Sequence, residues 1–382
     1  MPHKLHLNMK IYFILLFIAT FPYTALAGKP WLKKPLRYVC ADSVITWGYD
    51  GRDVRTIASA TDSTAQASTM VLTRQAWNNR HATYEAWCKQ LPEHNCIGGA
   101  GYEKDPAQAM AAAKWLNQAA QLFLMQGDAC YMDYTERALM NAVMRTAVDT
   151  LQPRGSIDKW MAASLLKASP GLIYATTLNE KELYINLYTN ATTPLMLQGK
   201  RLLLDQITDM PVSGGVKIRF SGFKGELKLK LHLRMPDWCG LRTGTPYIYI
   251  GGETQHPTLY VNGHEIEPLM INEKGYITID RTWHSLDEVY IDFPLRVQTI
   301  LPTSTPTDKQ HAPIRDFVAY QYGPLVCLPQ GNTKGRYFKP TQTPIFTNEY
   351  NAYNRPVLQG SMYKYIDAPQ DGQAESETFV AE

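Results

Sequence analysis

Two cysteines and a histidine, Cys88, His94 and Cys96, form a closely spaced group of side chains that are typical metal ligands. Structural zinc sites usually have four such ligands. The spacing here matches no strong zinc motif, and no fourth ligand is evident. A disulfide bond or unpaired thiols are therefore the favoured interpretation. The six cysteines of the chain are too few for a disulfide scaffold, and the sequence does not reveal how they connect.

A glycine-rich segment, Gly98–Gly101, follows this group and is followed in turn by Glu103, Lys104 and Asp105. A glycine run before a helix can bind phosphate through its backbone N–H groups. This run lacks the lysine and the serine or threonine that end a phosphate-binding loop. Phosphate binding is therefore not expected. Glu103 beside a lysine is typical of a solvated charge, and Asp105 is typical of a helix cap.

Helices are predicted on both sides of these residues, between about residues 65 and 168. The clearest begins with Asp105 as its cap and Pro106 in its first position, and ends at Gly127. The stripe of apolar residues in the next helix indicates one buried face. The four predicted helices are Ala67–Leu91, Ala107–Gln126, Cys130–Thr150 and Ile157–Lys167.

The chain after Leu172 has the period of two that is typical of strands. Between Glu226 and Trp238, four leucines alternate with Lys228, Lys230, His232 and Arg234. This pattern predicts a strand with its leucines in the core and its basic residues in water. About ten such strands end at Gly, Pro, Asn or Asp before Leu328, which predicts antiparallel sheets packed face to face.

Several segments resemble consecutive landmarks of the β-L-arabinofuranosidase family, glycoside hydrolase family 127. In the first half they are WCKQLPEHNCIGGAG (87–101), QLFLMQGDACYMDYTERALMNAV (121–143), ASPGLIYATT (168–177) and ELYINLYTNAT (182–192). In the second half they are LRMPDW (233–238), LYVNGHEIE (259–267), GYITIDRTW (275–283), VYIDFPLRV (289–297) and VAYQYGPLVCL (318–328). The resemblance implies an (α/α) barrel that carries the active site, followed by β-sandwich domains. It also implies a role in exported plant-polysaccharide degradation.

The resemblance further implies a cysteine nucleophile in a Cys-Cys pair, a zinc ion held by that pair with a Glu-x-Cys element, and a glutamate acid/base. Here the Glu-x-Cys element falls on Gln108 and Met110, and the cysteine pair falls on Ile157 and Asp158. No two cysteines are adjacent anywhere in the sequence. No zinc cofactor is therefore expected, and Glu103 is the sole candidate for the catalytic acid/base.

Residues 1–27 have the pattern of a signal peptide. Lys4 and Lys10 precede an apolar run, and Ala25-Leu26-Ala27 supplies a cleavage site before Gly28. A membrane anchor is the alternative, but the run is interrupted by Pro22 and is shorter than the ~20 residues of a bilayer span. Removal of this segment lowers the formal charge from +3 to +1. Nucleic acid and anionic membranes are not expected partners, because both usually require a basic excess.

These patterns predict an exported α+β protein, secreted or periplasmic, in four parts. Residues 1–27 are the signal peptide, 28–170 a partial (α/α)-barrel-type helical domain, 171–330 the antiparallel β-sandwich region, and 331–382 a loop-rich tail. A fragment beginning near Gly171 should contain the stable core. The predicted function is that of a glycoside hydrolase relative acting on arabinose-containing plant polysaccharide, degenerate or shortened in its barrel.

The alternative function is a non-catalytic carbohydrate-binding or structural module. Aromatic side chains on strands can stack on sugar rings, although packing within the sheets is the more general role of such residues. The aromatic residues on the predicted strands include Tyr247, Tyr249, Tyr260, Tyr276, Trp283, Tyr290, Tyr320 and Tyr322.

Overall fold

The computed structural model describes residues 173–327, with gaps at 178, 243–246, 252–254 and 303–318. It also describes residues 119, 123–124 and 126–140, and separate strands near both ends of the chain. Within these residues, helix α1 spans Ala129–Ala138.

The strands of the described residues are numbered in chain order. The first nine are β1 (Leu36–Tyr38), β2 (Thr46–Gly48), β3 (Val54–Thr56), β4 (Tyr174–Thr177), β5 (Glu182–Ile185), β6 (Ala191–Leu197), β7 (Lys200–Thr208), β8 (Gly215–Ser221) and β9 (Leu227–Arg234). The next eight are β10 (Tyr247–Ile250), β11 (Thr258–Val261), β12 (His264–Glu265), β13 (Tyr276–Trp283), β14 (Glu288–Asp292), β15 (Val297–Pro302), β16 (Ala319–Tyr322) and β17 (Leu325–Cys327). The last four are β18 (Tyr337–Pro340), β19 (Ile345–Tyr350), β20 (Pro356–Tyr365) and β21 (Glu375–Ala381).

Two sheets pack face to face and form a β-sandwich, as the sequence predicts. Sheet A has the strand order β1-β4-β5-β9-β13, and sheet B has the order β12-β11-β14-β8-β7-β6. Their inner faces share one hydrophobic core, in which Phe220 of sheet B lies 4.9 Å from Trp283 of sheet A between ring centroids. The prediction of purely antiparallel sheets is wrong at one place, since β5 pairs with β9 in parallel.

Strand β9 follows the predicted alternation at its beginning and departs from it at its end. Its four leucines are buried, and Lys228 and Lys230 are exposed. The prediction that every basic residue faces water is wrong for His232 and Arg234, which are 6% and 0% exposed. Both lie on the outer face of sheet A, and Arg234 lies against α1, whose acidic side chains replace water as its partners.

Helix α1 is fixed at its N-terminus by Asp128, whose Oδ1 accepts a hydrogen bond of 2.9 Å from the Cys130 N–H. The preceding helical turn ends at Gly127 as predicted, with φ of +63° and an N–H donated to the Phe123 carbonyl. The sequence predicted that this helix has one buried apolar face. In the structure residues 129–137 are buried on all sides of the helix, including the charged ones.

Further strands form smaller sheets. The strand orders are β10-β15-β16-β17 and β18-β20-β19, with β21 also paired to β20, and β2 pairs with β3. Strands β18–β21 lie in the region that the sequence assigned to a loop-rich tail, so that assignment is wrong for these residues. The predicted helices Ala67–Leu91 and Ile157–Lys167 lie outside the described residues. No helix in the described part of the chain is long and apolar enough to cross a membrane.

Candidate functional site

The end of strand β9 brings a fully buried guanidinium against helix α1. Arg234 donates from Nη1 to Asp133 Oδ1 at 2.6 Å and from Nη2 to Glu136 Oε1. Its Nε donates to the Asn186 carbonyl at 2.5 Å. Three directed acceptors compensate the loss of hydration that would otherwise make a buried charge costly. Arg234 therefore joins the helix to the sandwich through charge-assisted hydrogen bonds.

The residues after Arg234 extend this contact. The segment Met235–Cys239 turns through a short 3₁₀ helix, and Trp238 donates its indole N–H to Glu136 Oε2 at 3.0 Å. Arg242 donates from Nη1 to the second carboxylate oxygen of Asp133, Oδ2. Both oxygens of each carboxylate thus accept hydrogen bonds, from three donors at Asp133 and from two at Glu136, which fixes the orientation of the helix surface.

A second ion pair lies beside the first. Arg137 of α1 donates from Nη2 to Asp237 Oδ2 at 2.9 Å and to the Tyr249 hydroxyl at 2.8 Å. The Tyr249 hydroxyl donates to Asp237 Oδ2 at 2.6 Å. Burial alone would raise the pKa of the Asp237 carboxyl, but Arg137 and this hydrogen bond outweigh it and lower the pKa below 3.8.

We call these six residues the charged cluster: Asp133, Glu136, Arg137, Arg234, Asp237 and Arg242. Burial raises the pKa of the Asp133 carboxyl to about 6, and Asp237 and Glu136 add to this effect while Arg242 and Arg234 oppose it. Three cations balance three carboxyl groups. The cluster is at most 7% exposed and its charges are directed at one another, so it is built to hold elements together and not to receive a substrate.

The outer face of sheet A carries a histidine with both ring nitrogens engaged. His232 Nε2 lies 3.1 Å from Glu182 Oε2, and its Nδ1 lies 2.9 Å from Thr278 Oγ1. The ring stacks on Tyr184 at 4.2 Å. The hydrogen bond with His232 lowers the pKa of the Glu182 carboxyl, despite an opposing effect of burial. A carboxylate, an imidazole and a hydroxyl in sequence are the groups of a nucleophilic triad.

The surroundings of Glu182, His232 and Thr278 favour a packing role over a catalytic one. The histidine ring lies between Tyr184 and, edge-on, Tyr276, and is only 6% exposed. Phe123 covers the same two tyrosines at 6.1 and 6.4 Å. A substrate could not approach the imidazole without displacing these rings. We interpret Glu182, His232 and Thr278 as a cross-strand network that stabilises sheet A.

The residues that the sequence singled out for chemistry lie elsewhere. Glu103, the zinc-position residues Gln108, Met110, Ile157 and Asp158, and the group Cys88, His94 and Cys96 are all outside the described residues. Within the described residues, no group of three or more His, Cys, Asp or Glu side chains is arranged to hold a metal ion. The predicted absence of zinc remains a prediction.

The structure distinguishes among the strand aromatics. Tyr276, Trp283, Tyr320 and Tyr322 are buried, which fits packing within the sheets. Tyr290 is 36% exposed on the outer face of sheet B, where its ring centroid lies 6.4 Å from that of Tyr260.

The charged cluster was not predicted from the sequence. Its available signal was the spacing of Asp133, Glu136 and Arg137 within an otherwise apolar helix.

Comparison with known proteins agrees with the family resemblance over the sandwich. The sequence model of the GH127 middle domain of beta-L-arabinofuranosidase matches residues 182–295. Residues 182–295 are therefore similar to the middle domain of the GH127 family. The LRMPDW landmark supplies Arg234, Asp237 and Trp238 from this middle domain, and the residue 121–143 landmark supplies their partners on α1. Two segments that carried the resemblance therefore meet in the charged cluster.

Solved structures show the same fold at low sequence identity. A GH127 beta-arabinofuranosidase matches with a TM-score of 0.56 and 21% identity, over 72% of this chain and 45% of its own. A GH127 beta-L-arabinofuranosidase from Geobacillus stearothermophilus T6 matches with 0.52 and 19%, over 72% and 46%. A third structure, of a glycoside hydrolase, matches with a TM-score of 0.51 and 19% identity, over 72% of this chain and 49% of its own. The aligned region thus spans about half the length of these structures. No curated protein matches the sequence significantly.

Proposed function

We propose that this protein is an exported, degenerate relative of glycoside hydrolases of the GH127 kind that act on arabinose-containing plant glycans, and that its middle domain supports a helical domain. The observation that carries the proposal is the match of residues 182–295 to the GH127 middle domain. The matched structures are beta-arabinofuranosidases, and their arabinose-containing substrate class is extended to this chain as part of the proposal.

The charged cluster gives the middle domain a specific supporting task. Asp133, Glu136 and Arg137 lie on one helix, and their partners lie on β9 and the segment after it. Mutual charge pairs of fixed geometry allow one docking arrangement of α1 and penalise others. In this proposal the sandwich fixes the position of helix α1, and with it the end of the helical domain. It contributes no catalytic residue.

Hydrolysis by the chain itself is not part of the proposal. The positions at which the resemblance puts the zinc ligands and nucleophile hold Gln108, Met110, Ile157 and Asp158, and none of these supplies a thiolate. The donor set does not fit the zinc site of the family, so no reaction step is assigned to a metal here. Loss of the nucleophile alone removes several orders of magnitude of rate.

An assay of the purified mature protein tests this proposal. We expect no stoichiometric zinc by elemental analysis, and little or no arabinose released from β-L-arabinofuranosides. One tightly bound zinc per chain, together with hydrolysis that Glu103→Gln abolishes, would show a working enzyme with relocated ligands.

The proposed export is tested separately. N-terminal sequencing of secreted material should give Gly28 as the first residue. A retained, membrane-associated N-terminus would identify residues 1–27 as an anchor.

The second candidate function is carbohydrate binding without hydrolysis. The specific observation that favours it is a polar groove on the exposed face of sheet B, lined by side chains that are suited to sugar hydroxyls.

A further inference from the structure

A groove of about 260 Å³ lies on sheet B, at the strands β6, β7 and β8. The side chains that matter for its chemistry are Thr192, Asp205, Ile207 and Arg219, and Asn190 lies at its rim. The groove is distant in the fold from the charged cluster, which lies on the outer face of the other sheet. It is therefore a separate feature and not an extension of the helix contact.

Strand register places three polar side chains in one row across the groove. Thr192 pairs with Asp205 across β6 and β7, and Asp205 pairs with Arg219 across β7 and β8. Directly paired residues on one face of a sheet have their Cβ atoms about 5 Å apart. Ile207 follows Asp205 by two positions and therefore lies on the same face. The backbone alone thus fixes a hydroxyl, a carboxylate and a guanidinium beside an apolar side chain.

The hydrogen bonds in this row leave capacity for a ligand. Thr192 Oγ1 donates to Asp205 Oδ1 at 2.8 Å, which orients the carboxylate. Asp205 Oδ2 lies 3.6 Å from Arg219 Nη2, beyond an N–H···O hydrogen bond. Arg219 Nε is buried without a hydrogen-bond partner among the described residues. Glu288, the next residue in the row, instead lies 3.1 Å from Lys217 Nζ.

The charge of the groove selects a class of ligand. A carboxylate beside a guanidinium is electroneutral, so an anion would meet repulsion from Asp205 and a cation would meet repulsion from Arg219. A single carboxylate is also too few oxygen ligands for a calcium site. Neutral hydroxyl groups suit both partners, since they donate to the carboxylate and accept from the guanidinium. Ile207, 48% exposed, offers an apolar surface to the C–H groups of a sugar ring.

We propose that this groove is a binding site for one residue of a neutral glycan, with Asp205 and Arg219 holding adjacent hydroxyl groups and Ile207 contacting the ring. The volume is just below the range of sites for drug-sized ligands, which suits a single sugar residue. The assignment of arabinose as the sugar rests on the proposed function above, whereas the site itself rests on the geometry of the groove.

Titration of the full mature chain with soluble oligosaccharides, followed by calorimetry or NMR chemical shifts, tests the site. The probes are arabino-oligosaccharides, xylo-oligosaccharides and cello-oligosaccharides. Asp205→Asn and Arg219→Gln each remove one charged hydrogen-bonding group, and each should weaken binding about 10-fold or more. The matched control is Asp280→Asn, the same change in an exposed cross-strand pair with Lys230 on sheet A, and it should leave binding unchanged.

The outcomes separate the site from the proposed function. Binding of arabino-oligosaccharides that both groove variants leave intact would overturn the site and retain the substrate class. Binding of xylo- or cello-oligosaccharides alone, lost in both variants, would retain the site and overturn arabinose as its sugar. Absence of binding to all three probes would overturn both. Thermal unfolding of each variant excludes loss of fold as the cause, and Ile207→Ser replaces a variant that fails to fold.

Discussion

Arg234 of strand β9 donates a 2.6 Å hydrogen bond to Asp133 of helix α1, although the two residues are 101 positions apart in the chain. Neither side chain is more than 4% exposed. Removing one partner of a buried ion pair strongly destabilises the folded protein, because the other charge stays buried without a partner. The free energy of unfolding should therefore depend strongly on each member of the charged cluster.

Replacement of Arg234 by methionine should lower the free energy of unfolding by about 3–5 kcal/mol, since Asp133 and Glu136 lose their shared cation. Urea unfolding followed by tryptophan fluorescence measures this. Lys230→Met on the same strand is the matched control, because its side chain is 49% exposed and its pair with Asp280 lies at the surface. The control should change stability by less than ~1 kcal/mol.

The combined variant Arg234→Met, Glu136→Gln should recover part of that loss, because one buried carboxylate is removed with its cation while Asp133 keeps Arg242 as a partner. A double variant that is less stable than Arg234→Met by the full loss seen in Glu136→Gln alone would contradict an electrostatic origin. The loss would then reflect packing of the guanidinium against Tyr188, which lies 5.9 Å from it.

Gly275→Ala should destabilise the protein more than Gly263→Ala. Both glycines have positive φ, +84° and +78°, so each substitution incurs backbone strain of about 1–2 kcal/mol. A Cβ at Gly275 would lie 2.5 Å from Arg242 Nε and 2.8 Å from the Ala129 Cβ at the start of α1, whereas a Cβ at Gly263 meets nothing within 4 Å. The difference, about 1–3 kcal/mol, measures how tightly Arg242 and the start of α1 pack against the backbone at Gly275. Equal unfolding midpoints for the two variants would show that the contact is loose.

Glu182→Gln should change the acid dependence of stability. The native pKa of Glu182 lies below 4.5, so on acidification the unfolded state binds the proton first. The stabilisation from this carboxylate is therefore present above pH 4.5 and is lost as the pH falls through the native pKa. Urea midpoints of wild type and Glu182→Gln should differ above pH 5 and converge toward pH 3.

Thr278→Val is the control for this pH effect. It removes the other hydrogen-bond partner of His232 without removing a carboxyl group. Its effect on the urea midpoint should be similar at every pH between 3 and 5. A convergence as large as that of Glu182→Gln would assign the acid dependence to a group other than Glu182.

After limited proteolysis of the mature chain, a fragment that carries α1 should stay bound to the fragment that carries β9. The sequence alone predicted a stable core beginning near Gly171. The charged cluster extends that prediction, because Arg234 and Arg242 would lose their carboxylate partners without α1. Gel filtration of the digest followed by mass spectrometry decides it. Separate elution of the two fragments would support the boundary at Gly171.

The sandwich could be predicted because its strands obey a local rule. Leu227, Leu229, Leu231 and Leu233 alternate with polar residues, and such alternation needs no knowledge of distant segments. The position of Arg234 could not be predicted in this way. Its burial depends on Asp133 and Glu136, and no local pattern shows that a helix from the preceding half covers one end of sheet A.

The parallel pair was missed for a related reason. Adjacent strands in the sequence usually pair as hairpins, and the strand after β5 instead begins the other sheet. The candidate groove was also invisible in the sequence, because Thr192, Asp205 and Arg219 belong to three strands whose register decides whether they meet. The predicted catalytic residue Glu103 lies outside the described residues, so its role remains a prediction.

The parallel pairing of β5 with β9 has a consequence for the order of folding. Glu182 pairs with Lys230, and the intervening chain forms the β6–β7–β8 meander of sheet B. Short loops close with less entropy loss than long ones, so the meander should form early and bring β5 and β9 together. Substitutions that weaken β6–β8 should therefore slow refolding, whereas those in the β5–β9 pair should mainly accelerate unfolding.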